Sequence, residues 1–155
     1  MVAEDDPAAT PLPHPALFGV HPDAKVMDLA RAQGELGSTP ILDVGAGTGR
    51  NALPLGRAGF PTDAVALTPA LATILRDRAR AAGSEVRVFE GDATDRTLDL
   101  PKRHYRLVVI AEVVSSHIRD PDHLRRLFAV VADVLRPGGF VLFNTFLPAE
   151  GYTVK

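Results

Sequence analysis

Between Ile41 and Thr145 the chain repeatedly sets a short aliphatic run against a longer amphipathic one. The short runs are Ile41–Val44, Thr62–Leu67, Val86–Phe89, Arg106–Ala111 and Phe140–Thr145, each with the length and side chains of a strand. His21–Gly34 reads as a helix, with Pro22 in its first turn and Gly34 at its stop. Thr68 and Pro69 open another, lined by Leu71, Ile74 and Leu75 and closed by Gly83. A third starts at Asp120–Pro121, with Leu124, Leu127, Phe128, Val131 and Leu135 on one face and "RPGG" (136–139) closing it. The segment after Gly49 is a poorer helix, because Pro54 kinks it or delays its start. Strands alternating with helices at this spacing predict a parallel sheet covered on both faces. Right-handed crossovers make it doubly wound, so the fold class expected is α/β with five strands.

Composition narrows the surroundings of such a sheet. At 155 residues, with 46% hydrophobic and 23% charged side chains, one globular domain is expected. Residues 1–15 carry Pro7, Pro11, Pro13 and Pro15 with little to bury, and read as a flexible arm ahead of a domain over 16–155. A net charge of −2 leaves no electrostatic footprint for nucleic acid or an anionic membrane, and Arg76, Arg78 and Arg80 read as a solvated helix face. The absence of cysteine excludes disulfides and thiolate metal sites. His14, His21, His104 and His123 lack ligand spacing, so no metal is expected. The start, "MVAEDDPAATPLPHP", is acidic and proline-rich, unlike a secretory signal. The longest apolar run, Leu107 to Val114, is broken by Glu112 and too short to span a bilayer. A cytoplasmic protein is the expectation.

Ligands of doubly wound sheets bind beyond the carboxyl ends of the strands, and "DVGAGTG" (43–49) stands at that end of the first strand. A phosphate-cradling loop needs Gly-Lys-Ser/Thr at its end, where this chain has Gly49-Arg50-Asn51. A dinucleotide fingerprint needs Gly or Ala where Arg50 stands, and its bulk obstructs close helix–strand packing. Asp/Glu-x-Gly-x-Gly-x-Gly is filled by Asp43, Gly45, Gly47 and Gly49.

That last pattern resembles the first motif of the class I S-adenosylmethionine-dependent methyltransferases. The resemblance runs over roughly residues 20–147, with "GDATD" (91–95), "YRLVVIAEVVSSHIRDP" (105–121) and "LRPGGFVLFNT" (135–145) in the family's order. "GRN" (49–51) is similar to the tellurite-resistance-type and other small-molecule branches. The resemblance implies a Rossmann-like fold, S-adenosyl-L-methionine as cofactor and a small-molecule methyl acceptor. It implies a cofactor site of Asp43, Gly45, Ala46, Gly47, Asn51, Leu67, Thr68, Asp92, Ala93 and Ala111. Asp43 would order the loop and the amino-acid end, and Gly45 and Gly47 would admit that end to the backbone. Asp92 would accept from the adenine amino group, the Ala93 N–H would donate to the ring, and main-chain groups around Ile110 and Ala111 would take the ammonium.

The chain also departs from the pattern. Ala66 stands where the family usually has the carboxylate that holds the ribose hydroxyls, and Asp63 is predicted to point to the other face. Arg106 replaces a common Asp, which reads as surface variation. The family's sheet continues past strand five into an antiparallel hairpin, whereas this sequence ends at Lys155. A C-terminally incomplete domain is therefore expected, with self-association through the apolar edge from Phe140 to Phe146. No catalytic residue is assigned: His117 lacks a second group beside it, and Glu112 reads equally as a loop cap or a substrate contact.

Overall fold

The computed structural model describes residues 21–111, 118 and 120–144. Along the chain run α1 (Ala24–Ala32), β1 (Ile41–Val44), α2 (Ala52–Arg57), β2 (Thr62–Ala66), α3 (Pro69–Ala81), β3 (Val86–Glu90), β4 (Tyr105–Ile110), α4 (Pro121–Val134) and β5 (Leu135–Phe143). The five strands form one parallel sheet in the order β3-β2-β1-β4-β5. The chain winds outward from β1 to β3, then returns to lay β4 on the other side of β1. The predicted doubly wound α/β class is what the chain adopts, and the winding reverses between β1 and β4.

Why these strands lie inside follows from their composition. Every residue of β1 and β2 is buried, and all but one in β4, as parallel strands covered on both faces require. On one face Leu42, Val44, Val65, Val108 and Ile110 pack under α4. On the other, Ile41, Leu107 and Val109 meet Val26, Met27 and Ala30 of α1 together with Leu55. Ala64 on that side packs with Ala46, Ala52 and Leu75. Each large side chain so buried contributes about 1.5–3 kcal/mol before ordering costs.

Several local expectations shift. Asp23 caps α1 by accepting from the Lys25 N–H, so Pro22 stands before the helix and not in its first turn. Pro54 falls in the first turn of the short α2, where no intrahelical N–H is needed, and it does not break the helix. The α4 stripe is Leu127, Val130, Val131 and Val134; Phe128 is exposed and packs edge-on to Phe143, with ring centroids 5.4 Å apart. Phe128 faces the edge strand because the other four already span the sheet-facing side.

"RPGG" closes α4 and also lies inside β5. Leu135 pairs with Tyr105 and Phe140 with Leu107, so Arg136–Gly139 bulge between two strand pairings. Gly138 takes φ +74°, its carbonyl accepts from Arg106 Nη1, and the Arg106 guanidinium lies 5.0 Å above the Phe140 ring. Arg106 therefore holds the bulge, and its reading as surface variation is corrected. The Arg103 and His104 N–H groups donate to the carbonyls of Asp133 and Val134, satisfying the end of α4.

Asp63 lies with the α4 face, away from the glycine loop. Its carboxylate accepts from Arg87 Nε at 3.0 Å and from the Tyr105 hydroxyl at 2.6 Å, tying β2, β3 and β4 together. Burial, then the Asp63 hydrogen bond, push the Tyr105 phenol above its usual range, so it stays protonated and donates to Asp63.

The two edges differ. β3 presents Arg87 and Glu90, whereas β5 leaves Phe140, Val141 and Phe143 exposed. Among the described residues no helix is long and apolar enough to cross a membrane.

Candidate functional site

Between β1 and α2 the chain must turn from a central strand into a helix within a few residues. Gly45, Gly47 and Gly49 all take left-handed φ, at +70°, +54° and +94°. Side chains resist that conformation by roughly 1–2 kcal/mol each. The Ala46 N–H donates to the Val65 carbonyl at 3.1 Å and the Gly49 N–H to the Ala46 carbonyl at 2.9 Å, pinning the coil against β2. From α3, Arg78 donates to the Thr48 carbonyl at 3.1 Å.

Two of these glycines make room for different things. A Cβ at Gly49 would lie 2.6 Å from Leu53 Cγ and from Leu75 Cδ1, so the protein itself fills that space. A Cβ at Gly47 would meet nothing within 4 Å. The loop is therefore bare backbone facing open space at the switch point.

Asp43 sits beneath it, 2% exposed. The Ala52 N–H hydrogen-bonds to its carboxylate, but Oδ2 has no partner. Burial raises its pKa to about 7, against the Ala52 bond and the charge of Arg50, which both lower it. A buried carboxylate oxygen without a donor is costly and needs an explanation.

The other expected site residues gather at the carboxyl ends of the same strands. Asn51 precedes α2 without capping it; its side-chain oxygen accepts from the Asp23 N–H at 2.9 Å, fastening α1 to the loop. Beyond β2, Ala66 is buried, Leu67 is 62% exposed, and Thr68 caps α3 by accepting from the Leu71 N–H. The Gly91 N–H donates to the Ala66 carbonyl, which brings the segment after β3 over the end of β2. There Asp92 is exposed and accepts from the Thr94 N–H at 2.8 Å, while Ala93 is half-buried. At the end of β4, Ala111 is buried and the Ile110 carbonyl accepts from the Asn144 N–H at 3.3 Å. Glu112 and His117 lie outside the described residues.

Sequence reasoning missed Arg78 and the Asp23–Asn51 tie, whose partners lie 30 and 28 residues apart. Only a cap signal at Asp23 was available locally. A cavity of about 370 Å³ lined by Lys102, Arg103, Ala132 and Asp133 opens near the start of β4, at the opposite end of the sheet from the glycine loop.

A family model described as a methyltransferase domain matches residues 41–139, from the first residue of β1 to the end of the β5 bulge. No curated protein matches the chain significantly. Among solved structures, the glycopeptide N-methyltransferase MtfA complexed with S-adenosyl-L-methionine is 26% identical, with a TM-score of 0.65 over 80% of this chain and 54% of that one. A structure on the conversion of a disulfide bond into a thioacetal group during echinomycin biosynthesis is likewise 26% identical, with a TM-score of 0.66 over 78% of this chain and 48% of that one. A TehB-like S-adenosylmethionine-dependent methyltransferase from Corynebacterium glutamicum shares the fold at 23% identity, with a TM-score of 0.66, 82% of this chain and 64% of that one. The chain spans about half the length of the first two, 54% and 48%.

Proposed function

This chain belongs to the methyltransferase-domain family, and from that membership we propose that it binds S-adenosyl-L-methionine and transfers a methyl group to a small-molecule acceptor. The observation that carries the reading is the open face of Gly47, at the switch point of a sheet whose glycine loop falls within the family match. The donor set suits this cofactor. It has no phosphates, so bare backbone and carboxylates serve it where a cluster of Lys or Arg would not. Exposed Leu67 offers an apolar surface to adenine, Asp92 keeps lone pairs for its amino group, and the Ala93 N–H donates to the ring. Backbone at Gly45, Ala46 and Gly47 receives the amino-acid end, with Asp43 below and Ile110–Ala111 across β4. Asn51 and Thr68 hold the loop and the start of α3 in place.

The cofactor supplies a methyl group already activated on a sulfonium. Proximity and orientation supply most of the acceleration when the acceptor is a good nucleophile, so transfer to such an acceptor does not depend on a dedicated base. Gly49-Arg50-Asn51 supports placement in the small-molecule, tellurite-resistance-like branch.

S-adenosylhomocysteine at a hundredfold excess over its Kd is expected to stabilise the protein by about 2.7 kcal/mol, roughly 5–10 °C in Tm, while NAD and NADP leave it unchanged. Gly47→Ala is expected to remove most of that shift, because its methyl enters the open space. Stabilisation by a dinucleotide alone, or an undiminished shift in the variant, would sink the reading.

Ala66 favours a second reading, a cofactor-binding domain without turnover, since no carboxylate stands at the end of β2 where the family grips the ribose. Ala66→Asp is expected to tighten S-adenosylhomocysteine binding by about 1.5–3 kcal/mol, roughly ten- to a hundredfold. Calorimetric titration of both forms is the check; equal affinity means that another group already holds the hydroxyls. A methyl-transfer assay with candidate acceptors separates the two readings.

A further inference from the structure

Asp43 Oδ2 is buried without a hydrogen-bond donor, one residue from the end of a central strand and directly under a loop that is open at Gly47. The surroundings offer it little. The neighbouring strands place Ala64 and Val109 beside it, and α1 and α2 turn Val26, Met27 and Leu55 to that face. Arg50 in the loop is the charge that acts on it. Asp23, the acid that caps α1, is turned to the Lys25 N–H. In an apolar setting of this kind a carboxyl holds its proton until a cation arrives.

We propose that capture of the cofactor ionises Asp43: its carboxyl O–H gives its proton to solvent, and the carboxylate becomes the counter-ion of the cofactor's ammonium. This rests on the methyltransferase reading above and goes beyond it, because it makes cofactor affinity depend on pH within the physiological range. The pKa of about 7 that burial gives Asp43 agrees with that range. A ligand that selects the ionised form binds with an apparent affinity scaled by the ionised fraction. From pH 8 to pH 6 that fraction falls about tenfold, and affinity falls with it.

The test is calorimetric titration of the full chain with S-adenosylhomocysteine at pH 7 in two buffers of different ionisation enthalpy. Release of about half a proton per ligand is expected, with an affinity about tenfold weaker at pH 6 than at pH 8. The ligand's own amino group works in the opposite sense, since taking up its ammonium form on binding consumes a proton. 5′-Methylthioadenosine keeps the nucleoside and lacks the amino-acid end, and is expected to bind without proton release. Asp43→Asn is expected to abolish the buffer dependence for S-adenosylhomocysteine. Tight binding of S-adenosylhomocysteine by the wild type without proton release overturns the proposal alone, as does equal release with both ligands. Failure to bind S-adenosylhomocysteine at any pH overturns the methyltransferase reading with it.

Discussion

Gly49→Ala is expected to cost the protein about 2–5 kcal/mol of stability. Two effects add at this position. The φ of +94° is strained for any residue with a Cβ, at roughly 1–2 kcal/mol. The new methyl would also stand 2.6 Å from Leu53 Cγ and Leu75 Cδ1, and overpacking of that kind costs about 1–3 kcal/mol. Leu75 is fully buried between α3 and the sheet, so it has no solvent to retreat into. Against a typical total stability of about 5–15 kcal/mol, this loss brings a small domain close to unfolding. Gly47→Ala, two residues earlier, carries only the strain, because no atom occupies the space its methyl enters. Urea unfolding of the two variants beside the wild type measures the contrast. A Gly49→Ala loss no larger than that of Gly47→Ala would show that Leu53 and Leu75 give way freely.

Asp43→Asn is expected to stabilise the ligand-free protein at pH 8 and to leave it little changed at pH 5. The sign follows from proton binding. The carboxyl's ordinary value is 3.8 and burial raises it to about 7 in the folded state. Between those values the folded protein holds a proton that the unfolded chain has lost, so stability falls as pH rises through the window and levels off above about 7. The full swing is on the order of 4 kcal/mol. Asparagine has the same shape and no charge to bury, so the swing disappears. Its amide hydrogens still lack an acceptor where Oδ2 lacks a donor, which trims the net gain by about 1–3 kcal/mol. Denaturant midpoints at pH 5, 6, 7 and 8 for both forms decide the matter. An unchanged pH slope in Asp43→Asn would assign the proton to another group. Since the same substitution removes the counter-ion proposed for the cofactor, the gain in stability is expected to accompany weaker, still measurable binding.

The sequence by itself determined the elements and their punctuation. Aliphatic runs and cap residues act through near neighbours in the chain, so Ile41–Val44 was legible to the residue, and Thr68 and Asp120 cap α3 and α4 as their patterns require. It determined the place of the ligand loop too, because three glycines behind a strand admit few conformations. Its weaker readings came where a local pattern has more than one tertiary use. "RPGG" stops a helix, yet only pairing with β4 makes it a bulge within β5. Arg106 looked like surface variation until Gly138, 32 residues away, received its guanidinium. Asp63 was placed on the far face by alternation alone, but its partners Arg87 and Tyr105 come from strands 24 and 42 residues onward. Gly47 and Gly49 are equivalent in the motif, and only the packing of Leu53 and Leu75 separates the glycine that serves the fold from the one that leaves room for a ligand. The charge state of Asp43 belongs to the tertiary structure as well, because desolvation depends on everything that closes around the group, and α1, α2 and β4 close around it from distant parts of the chain.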